Sequence, residues 1–277
     1  MEKYNFISYI SSDKCKFYSY YITHGCANIE QRMSDNFSEL GPDDIPIIRG
    51  MWDNNIELLN HFNKIGQDYV YVDNGYFMKG PGKTNGYFRF VWNANQETRI
   101  FDCPSTRFDG LFKDNIHIRD WQCNERGPII VTTPAPQPTK YWHLESWLDN
   151  TINRIKQFTD REIIVREKPV AGAKATTLSF LQCIESAYCV VTYNSMAAVE
   201  AVLFGIPVVV DKISTAAPMG VTDISKINNL VRPDRTKWMH SLAYGQWSLD
   251  EMYCTAKPWQ EIIKRRPPNV KQDCDRI

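Results

Sequence analysis

The sequence predicts an α/β protein with two lobes, each built on a mostly parallel sheet. The short β-branched run Cys189–Thr192 is long enough for one strand that is buried on both faces. A helix-period stretch follows at Met196–Phe204, and a second apolar run follows at Ile206–Val210. A strand, a helix and a strand joined without room for a hairpin form a right-handed parallel crossover. The same order recurs in the first half, and 277 residues are enough for two modest cores.

Charge balance, hydropathy and cysteine spacing indicate which partners and metal sites to expect. The 32 Lys and Arg residues balance 32 Asp and Glu, so no global basic field points to a nucleic acid, although a local basic groove is compatible with that balance. The chain has no apolar run of about 18 residues and no signal-peptide core at its start, so we expect a cytoplasmic protein without a membrane partner. The 8 cysteines show no CxxC or Cys/His spacing, which predicts free thiols and no zinc site.

In the first half, aromatic and β-branched runs predict strands, and one amphipathic stretch predicts a helix. Apolar positions of Trp52–Ile65 recur at helical spacing, and Gly66 ends the stretch. The strand–helix–strand order at 45–77 therefore indicates a second parallel unit. The expected strands are 4–10, 17–22, 45–50, 68–72 and 86–93.

Two charged residues, Arg49 and Asp73, stand at strand ends. Ligands of open α/β sheets bind outside the carboxyl ends of the strands, which makes both residues candidates for a site. Asp73 precedes Asn74-Gly75, so a turn residue that bonds its own backbone is the alternative, and for Arg49 the alternative is a simple salt-bridge partner. The Gly/Pro loop 78–86 that follows lacks the spacing of a Walker loop.

Residues 94–126 are irregular and mix cations with aromatic side chains. Such mixing suits a polyanion or a stacked base, and a solvated surface over a few core aromatics is the alternative. The cations are Arg99, Arg107, Lys113, Arg119 and Arg126, and the aromatics are Phe101, Phe108, Phe112 and Trp121.

The second half repeats the strand–helix order, which predicts a second Rossmann-like lobe. We expect two lobes, 1–126 and 127–263, that face one another across a ligand cleft, and a polar tail, 264–277. The expected elements are a strand at Ile129–Thr132, a helix at Tyr141–Phe158, a strand at 162–169 that ends near Arg166 and Lys168, a helix at Leu178–Ser186, and two helices at 236–252 that break at Gly245, the second capped by Ser248 with Glu251.

The turn after Cys189–Thr192 is a candidate anion site. Tyr193, Asn194 and Ser195 are turn and cap residues. Backbone N–H groups at the start of a helix lack intrahelical acceptors and lie at the positive end of its dipole, so a phosphate can bind there. An ordinary capped helix in an α/β core is the alternative. The small-residue loop after Val210, which contains Thr215, lies at another strand end.

Several motifs together resemble glycosyltransferases of the two-Rossmann-lobe type called GT-B, in particular small phage-encoded and capsule-type sugar transferases. VVTYNSMAAVEAVLFGIPVVV resembles the donor signature of that group, and IIVREKP resembles its basic strand end. YVDNGYF, YFRFVWN and WMHSLAYGQWSLDEM are similar to elements of the phage proteins. These segments extend over about two-thirds of the chain, but the first 40 residues match no motif of the group, and the glycine-rich loop of the murein transferases is missing.

The resemblance implies a nucleotide-sugar donor, such as a UDP-sugar, and transfer to an acceptor hydroxyl without a metal or another cofactor. A helix dipole and cations would neutralise the leaving diphosphate, Glu200 would bind the ribose unless it is only an exposed helix residue, and Asp73 would be the general base. The implied donor-binding residues are Arg166, Lys168, Thr192, Asn194, Ser195, Met196, Glu200 and Thr215, and the implied acceptor-side residues are Arg49, Tyr76 and Arg89.

Other functions remain open at this point. The acceptor is either a hydroxymethylated base in phage DNA or a saccharide or small molecule. A sugar-nucleotide epimerase shares the fold but cleaves its donor without an acceptor, and a nucleotide-binding module would show no turnover. The sequence leaves the sugar, the stereochemistry and the oligomeric state open.

Overall fold

The computed structural model describes residues 4–11, 13–24, 29–36, 39–41, 43–78, 86–167 and 179–268. The chain has a mixed α/β fold with two sheets and divides into two compact units. The first unit comprises the described residues of Met1–Asn95, Cys103–Phe108 and His240–Ile277. The second unit comprises those of Gln96–Asp102 and Asp109–Met239. This division differs from the limits at 126 and 263 that the sequence suggests, because the C-terminal helices pack with the first half of the chain.

The strands in chain order are β1 Asn5–Ile10, β2 Ile29–Met33, β3 Asp44–Arg49, β4 Val70–Asn74, β5 Tyr87–Trp92, β6 Ile129–Thr132, β7 Ile163–Arg166, β8 Cys189–Thr192, β9 Val208–Val210 and β10 Gln246–Ser248. The helices are α1 Asp13–His24, α2 Asp53–Ile65, α3 Thr106–Leu111, α4 Pro136–Trp142, α5 Trp147–Ile155, α6 Phe180–Ile184, α7 Ala197–Leu203, α8 Thr236–Tyr244, α9 Leu249–Cys254 and α10 Lys257–Lys264.

The first unit contains a six-stranded sheet in the order β10-β5-β4-β3-β1-β2. Strands β4, β3, β1 and β2 are parallel, whereas β5 and β10 run antiparallel to their neighbours. Alternate residues Ile45 and Ile47 of β3 and Val70 and Val72 of β4 lie in one core cluster with Trp259 of α10. From β1 the chain crosses to β2 and then returns past β1 to β3, so its direction of travel reverses between β1 and β3.

Most of the local predictions for the first unit are confirmed. The expected strands at 4–10, 45–50, 68–72 and 86–93 appear as β1, β3, β4 and β5, and α2 ends at Gly66 with φ of 69°. The expected strand at 17–22 is wrong, because this segment lies in α1. Tyr18 and Ile22, four residues apart, are buried on one face of that helix while Tyr20 is 52 % exposed. The aromatic residues of this segment favour a strand by composition, although their spacing also fits one face of a helix.

The second unit contains a four-stranded parallel sheet in the order β7-β6-β8-β9. The expected crossover is confirmed as β8, α7 and β9. Gly205 follows α7 with φ of 82°, and a Cβ at this position would collide with the carbonyl oxygen of Asp120. A left-handed glycine is therefore required where the chain leaves the helix. From β6 the chain goes to β7 on one side and then to β8 on the other, so the direction reverses between β6 and β8.

Two predictions for the later part of the chain need correction. The single helix expected at Tyr141–Phe158 is two helices, α4 and α5, because the chain turns at His143, whose φ is 53°. The break at Gly245 and the Ser248–Glu251 capping box are confirmed, but the three residues after Gly245 form β10, which pairs with β5. No helix in the described ranges is long and apolar enough to cross a membrane.

Candidate functional site

The carboxyl ends of β6 and β8 form the first part of a candidate site. Connections leave these neighbouring strands in opposite directions, and such a switch point opens a crevice in which α/β proteins bind ligands. Thr132 is the last residue of β6 and Thr192 the last residue of β8. The preceding residues Val131 and Val191 are partners in the sheet, so the two threonines are neighbours at its edge.

Both threonine hydroxyls are buried without a hydrogen-bond partner among the described residues. Thr132 is 6 % and Thr192 1 % exposed. A buried polar group without a partner costs about 1–3 kcal/mol, so a pair of them at a switch point calls for an explanation. Thr192 also lines a cavity of about 350 Å³.

The cavity combines aromatic rings with polar groups. Tyr193 follows β8 and Asp211 follows β9, while Trp147, Asn150 and Arg154 come from α5. The ring centroid of Trp147 lies 6.3 Å from that of Tyr193. Burial, with a smaller contribution from the Asp211 carboxylate, raises the pKa of Tyr193 to about 12, so its hydroxyl stays protonated at neutral pH. The cavity therefore offers a ring for stacking and several hydrogen-bonding groups, a combination that suits a nucleoside.

The turn before α7 shows how its N–H groups are used. Ser195 Oγ accepts a hydrogen bond from the Ala197 N–H at 3.2 Å, so this hydroxyl caps the helix. Met196 stands at the N-cap position and makes no side-chain cap hydrogen bond. Glu200 lies in the first turn of α7 and is half-buried. The Ser195 hydroxyl thus accepts from the first N–H of α7, and the donor-binding roles that the sequence predicts for Ser195, Met196 and Glu200 stay predictions.

Gln96 holds two loops of the predicted donor site together, and sequence analysis missed it. Its side chain is buried, its Nε2 donates to the carbonyl oxygen of Asn194, and its Oε1 accepts from the Thr215 N–H at 2.8 Å. The Thr215 hydroxyl donates to the carbonyl oxygen of Glu97, and the Trp238 indole donates to that of Thr215 at 2.8 Å. The structure therefore joins the loops after β8 and β9, as expected for one site.

Arg166 ends β7, the strand beside β6, and its guanidinium lies 5.7 Å from the ring centroid of Phe180. It is at the same edge of the sheet as Thr132, with which it is paired in register. Lys168, the other predicted cation, lies outside the described residues. Within the described part of the chain, no group of three or more His, Cys, Asp or Glu residues could hold a metal ion.

Asp73, the predicted base, lies at the end of β4 in the first unit and is engaged by its neighbours. Its Oδ2 accepts from Arg89 Nη2 and from the Tyr71 hydroxyl, both at 3.1 Å, and its Oδ1 accepts from the Asn74 N–H at 2.7 Å. Burial, and then the Asp73 charge, raise the pKa of Tyr71 well above its usual range, so Tyr71 remains a donor to this carboxylate. The side chain of Asp73 is nevertheless 33 % exposed.

Two of the predicted acceptor-side residues are buried in the structure. Arg89 is 4 % exposed and donates to the carbonyl oxygen of Asn74 at 2.6 Å as well as to Asp73. The backbone N–H of buried Tyr76 donates to Gln246 Oε1 at 2.5 Å. Both therefore brace the loop after β4, and their roles towards an acceptor stay predictions. Arg49 differs from them, because the structure describes no hydrogen bond or ion pair for its side chain.

Three of the cations expected to form a basic groove are paired with carboxylates. Arg99 pairs with Glu97 at 2.7 Å, Arg107 with Glu251 at 2.5 Å, and Arg119 with Glu185 at 3.0 Å. Arg107 is also buried against the Trp247 ring, 3.8 Å from its centroid. A carboxylate beside a guanidinium cancels most of its field at a distance, so these residues do not supply the free positive charge that a phosphate backbone attracts.

Solved structures that share this fold include two from one organism. They are Thermosulfurimonas dismutans KpsC, beta Kdo 2,4 transferase, and Thermosulfurimonas dismutans KpsC, beta Kdo 2,7 transferase. The first aligns over 92 % of this chain and 97 % of its own, with a TM-score of 0.52 and 10 % identity. The second aligns over 95 % of this chain and 100 % of its own, with a TM-score of 0.53 and 15 % identity. At such identities the likeness establishes the fold alone. No protein-family model and no curated protein matches the chain.

Proposed function

We propose that this protein is a nucleotide-sugar-dependent glycosyltransferase of the GT-B type that moves a sugar to a hydroxyl of a saccharide acceptor. The observation that carries the proposal is the pair of hydroxyls without partners among the described residues, Thr132 and Thr192, at the switch point of the second unit. Of the two, Thr192 also lines a cavity of about 350 Å³. The two similar structures described above are named as Kdo transferases, and each is matched over more than nine-tenths of this chain.

The donor would bind at the carboxyl edge of the second sheet. Trp147 and Tyr193 offer rings for the base, and Asn150 and Thr192 offer hydrogen bonds. Arg166, with Lys168 and the N–H groups of the turn after β8, would neutralise the diphosphate as it leaves. In this proposal the cations do the work of a metal ion. A UDP-sugar is the proposed donor, and a nucleotide-activated Kdo is the alternative, since both similar structures transfer Kdo.

On the acceptor side, Asp73 is the proposed general base. A sugar hydroxyl has a pKa far above 7, so it must lose its proton to a base as its oxygen attacks the anomeric carbon. Asp73 already accepts hydrogen bonds from Arg89, Tyr71 and Asn74, which fix the orientation of the carboxylate. Its remaining lone pairs and its exposed third are available to a hydroxyl.

A saccharide is a better acceptor than DNA for this chain. Extrusion of a base from a duplex costs a few kcal/mol and needs phosphate contacts to compensate. The balance of 32 basic and 32 acidic residues and the ion pairs of Arg99, Arg107 and Arg119 leave little free positive charge for such contacts. A saccharide hydroxyl needs no basic groove.

Turnover with a panel of labelled nucleotide sugars tests the reaction. UDP-, GDP- and CMP-activated sugars would each be supplied with neutral oligosaccharides, with acidic oligosaccharides, with hydroxymethylcytosine DNA, and without acceptor. We expect transfer to a saccharide and none to DNA. Donor consumption without an acceptor product would instead indicate an epimerase, and donor binding without turnover in any arm would indicate a binding module.

Two variants then test the assigned residues. Thr192→Val keeps the shape of the side chain and removes the hydroxyl, so we expect unchanged or higher stability together with a donor affinity reduced about tenfold. Asp73→Asn should lower transfer by about 10²–10⁴-fold and leave donor affinity unchanged. Thr151→Val is a matched control for the first variant, because Thr151 lines the same cavity from α5, away from the sheet edge. If Thr192→Val and Thr151→Val bind the donor equally well, the switch-point hydroxyl does not contact it.

A further inference from the structure

The sheet of the first unit has its own switch point, and Arg49 stands beside it. The chain reverses its direction between β1 and β3, so the carboxyl ends of these two strands open a second crevice. Arg49 is the last residue of β3. It follows Ile45 and Ile47 at alternate positions, and both of these lie in the core cluster that contains Tyr18 of α1. Its side chain therefore emerges at the end of that face of the sheet.

The guanidinium of Arg49 contacts aromatic rings, and no described residue supplies an anion to it. Its Cζ lies 3.7 Å from the ring centroid of Tyr18 and 5.6 Å from that of Phe88. The structure describes no carboxylate and no hydrogen bond for this side chain. Its Nε is shielded from solvent and has no partner in the part of the chain that the structure describes. The residue as a whole is only half-buried. Rings below the plane of a guanidinium leave its in-plane N–H groups free to bind a ligand.

Three other shielded arginines of the first unit are paired with carboxylates. Arg89 pairs with Asp73 at 3.1 Å, Arg107 with Glu251 at 2.5 Å and Arg266 with Asp68 at 2.6 Å. Burial costs a cation part of its hydration, and an aromatic ring compensates for that loss less fully than a carboxylate does. Arg49 has aromatic rings and no carboxylate beside it among the described residues, and it stands at the position where a ligand is expected.

A second donor without an acceptor lies on the same face. The Nε1 of Trp247 is buried and has no partner among the described residues. Trp247 of β10 is the sheet partner of Phe88, the ring that Arg49 approaches from β3. Donors without acceptors therefore stand on both sides of Phe88.

We infer that the carboxyl edge of the first unit binds an anionic group of the acceptor through the Nη end of Arg49, so that the acceptor is an acidic saccharide. This rests on the proposed function, because only a transferase has an acceptor. The shared chemistry is a carboxylate or a phosphate ester, each of which a guanidinium binds through two parallel hydrogen bonds. Asp73 lies at the same edge, at the end of the neighbouring strand β4, but on the opposite face, because Arg49 is in register with Val72. The acceptor would therefore be anchored on one side of the edge and deprotonated on the other.

Binding without a donor tests the inference independently of turnover. The probes are methyl glucuronoside for the carboxylate, glucose 6-phosphate for the phosphate ester and methyl glucoside as the neutral comparison, each followed by NMR titration of the whole chain. We expect at least one anionic probe to bind the wild type about tenfold more tightly than the neutral one. Arg49→Gln should abolish that preference and Arg49→Lys should keep part of it. Arg266→Gln is the matched control, since it removes a cation that is already paired, and it should bind the probes like the wild type.

The outcomes separate this inference from the proposed function. Equal binding of charged and neutral probes by the wild type, or an undiminished preference in Arg49→Gln, would overturn the anion site. Should Arg49→Gln fail to fold, as its melting temperature would show, then an undiminished preference in Arg49→Lys overturns the inference, because a point charge lacks the two-pronged geometry. If no nucleotide sugar is turned over but the wild type still prefers an anionic probe, the transferase proposal is refuted and the anion site is supported. If the wild type and Arg49→Gln both transfer sugar equally well to acidic and neutral acceptors, the anion site is refuted and the transferase proposal is not.

Discussion

Replacement of Gln96 by methionine is expected to destabilise the protein by about 2–6 kcal/mol, because two buried backbone groups would each lose a partner worth about 1–3 kcal/mol. Gln96 is 5 % exposed, and its amide accepts from the Thr215 N–H and donates to the Asn194 carbonyl. Methionine has a similar volume and fills the same space, so the change removes hydrogen bonds and leaves packing largely as it was. Whole domains are stable by only about 5–15 kcal/mol, so the loss is readily measured.

Urea unfolding followed by tryptophan fluorescence measures this loss. Gln122→Met is the matched control, because the Gln122 amide bonds the carbonyl oxygen of Asp120 at 2.8 Å in an exposed setting within the same unit. That control should change the free energy of unfolding by less than about 0.5 kcal/mol. A Gln96→Met protein as stable as the control would refute the reasoning. The variant should also bind the donor more weakly, since the loops at Asn194 and Thr215 would no longer be held together.

Three further outcomes are expected. Arg166→Ala should weaken donor binding by about tenfold or more in calorimetry, as the loss of one charge-assisted phosphate contact predicts, and unchanged affinity would remove Arg166 from the site. Turnover should persist in EDTA, and a loss that magnesium or manganese restores would contradict the proposed role of the cations. Because the pKa of Tyr193 is raised from an ordinary value near 10 to about 12, its contribution to stability is present below pH 10 and is lost as the pH rises from 10 to 12. Tyr193→Phe should therefore unfold with a shallower pH dependence in that window, and identical wild-type and variant curves would rule out the shift.

Local sequence signals predicted the parts of the fold that depend on local chemistry. The crossover of β8, α7 and β9 was readable because the β-branched runs, the cap residues and Gly205 all point to the same structure. The end of β3 at Arg49 was readable for the same reason. The segment at 17–22 was not, because its aromatic residues satisfy both a strand pattern and a helix face, and only packing against the sheet decides between them.

Long-range contacts determined what the sequence did not predict. Gln96 lies in an irregular stretch and bonds residues 98 and 119 positions further along the chain, so no local pattern marks it. β10 has only three residues and becomes a strand by pairing with β5, which lies far earlier in the sequence. Thr132, by contrast, could be predicted as a site residue from the sequence, because it ends a buried strand just as Thr192 does.

The polar groups without partners say most about where ligands bind. Among the described residues, six buried side-chain atoms lack a hydrogen-bond partner, and three of them belong to Arg49, Thr132 and Thr192. Each of these three residues ends a strand that flanks a switch point, in one sheet or the other. Stability alone would remove such groups, since valine in place of threonine avoids the cost of an unpaired buried hydroxyl. Their position at the two crevices, where a bound molecule can supply the missing partner, is therefore better explained by ligand binding than by folding.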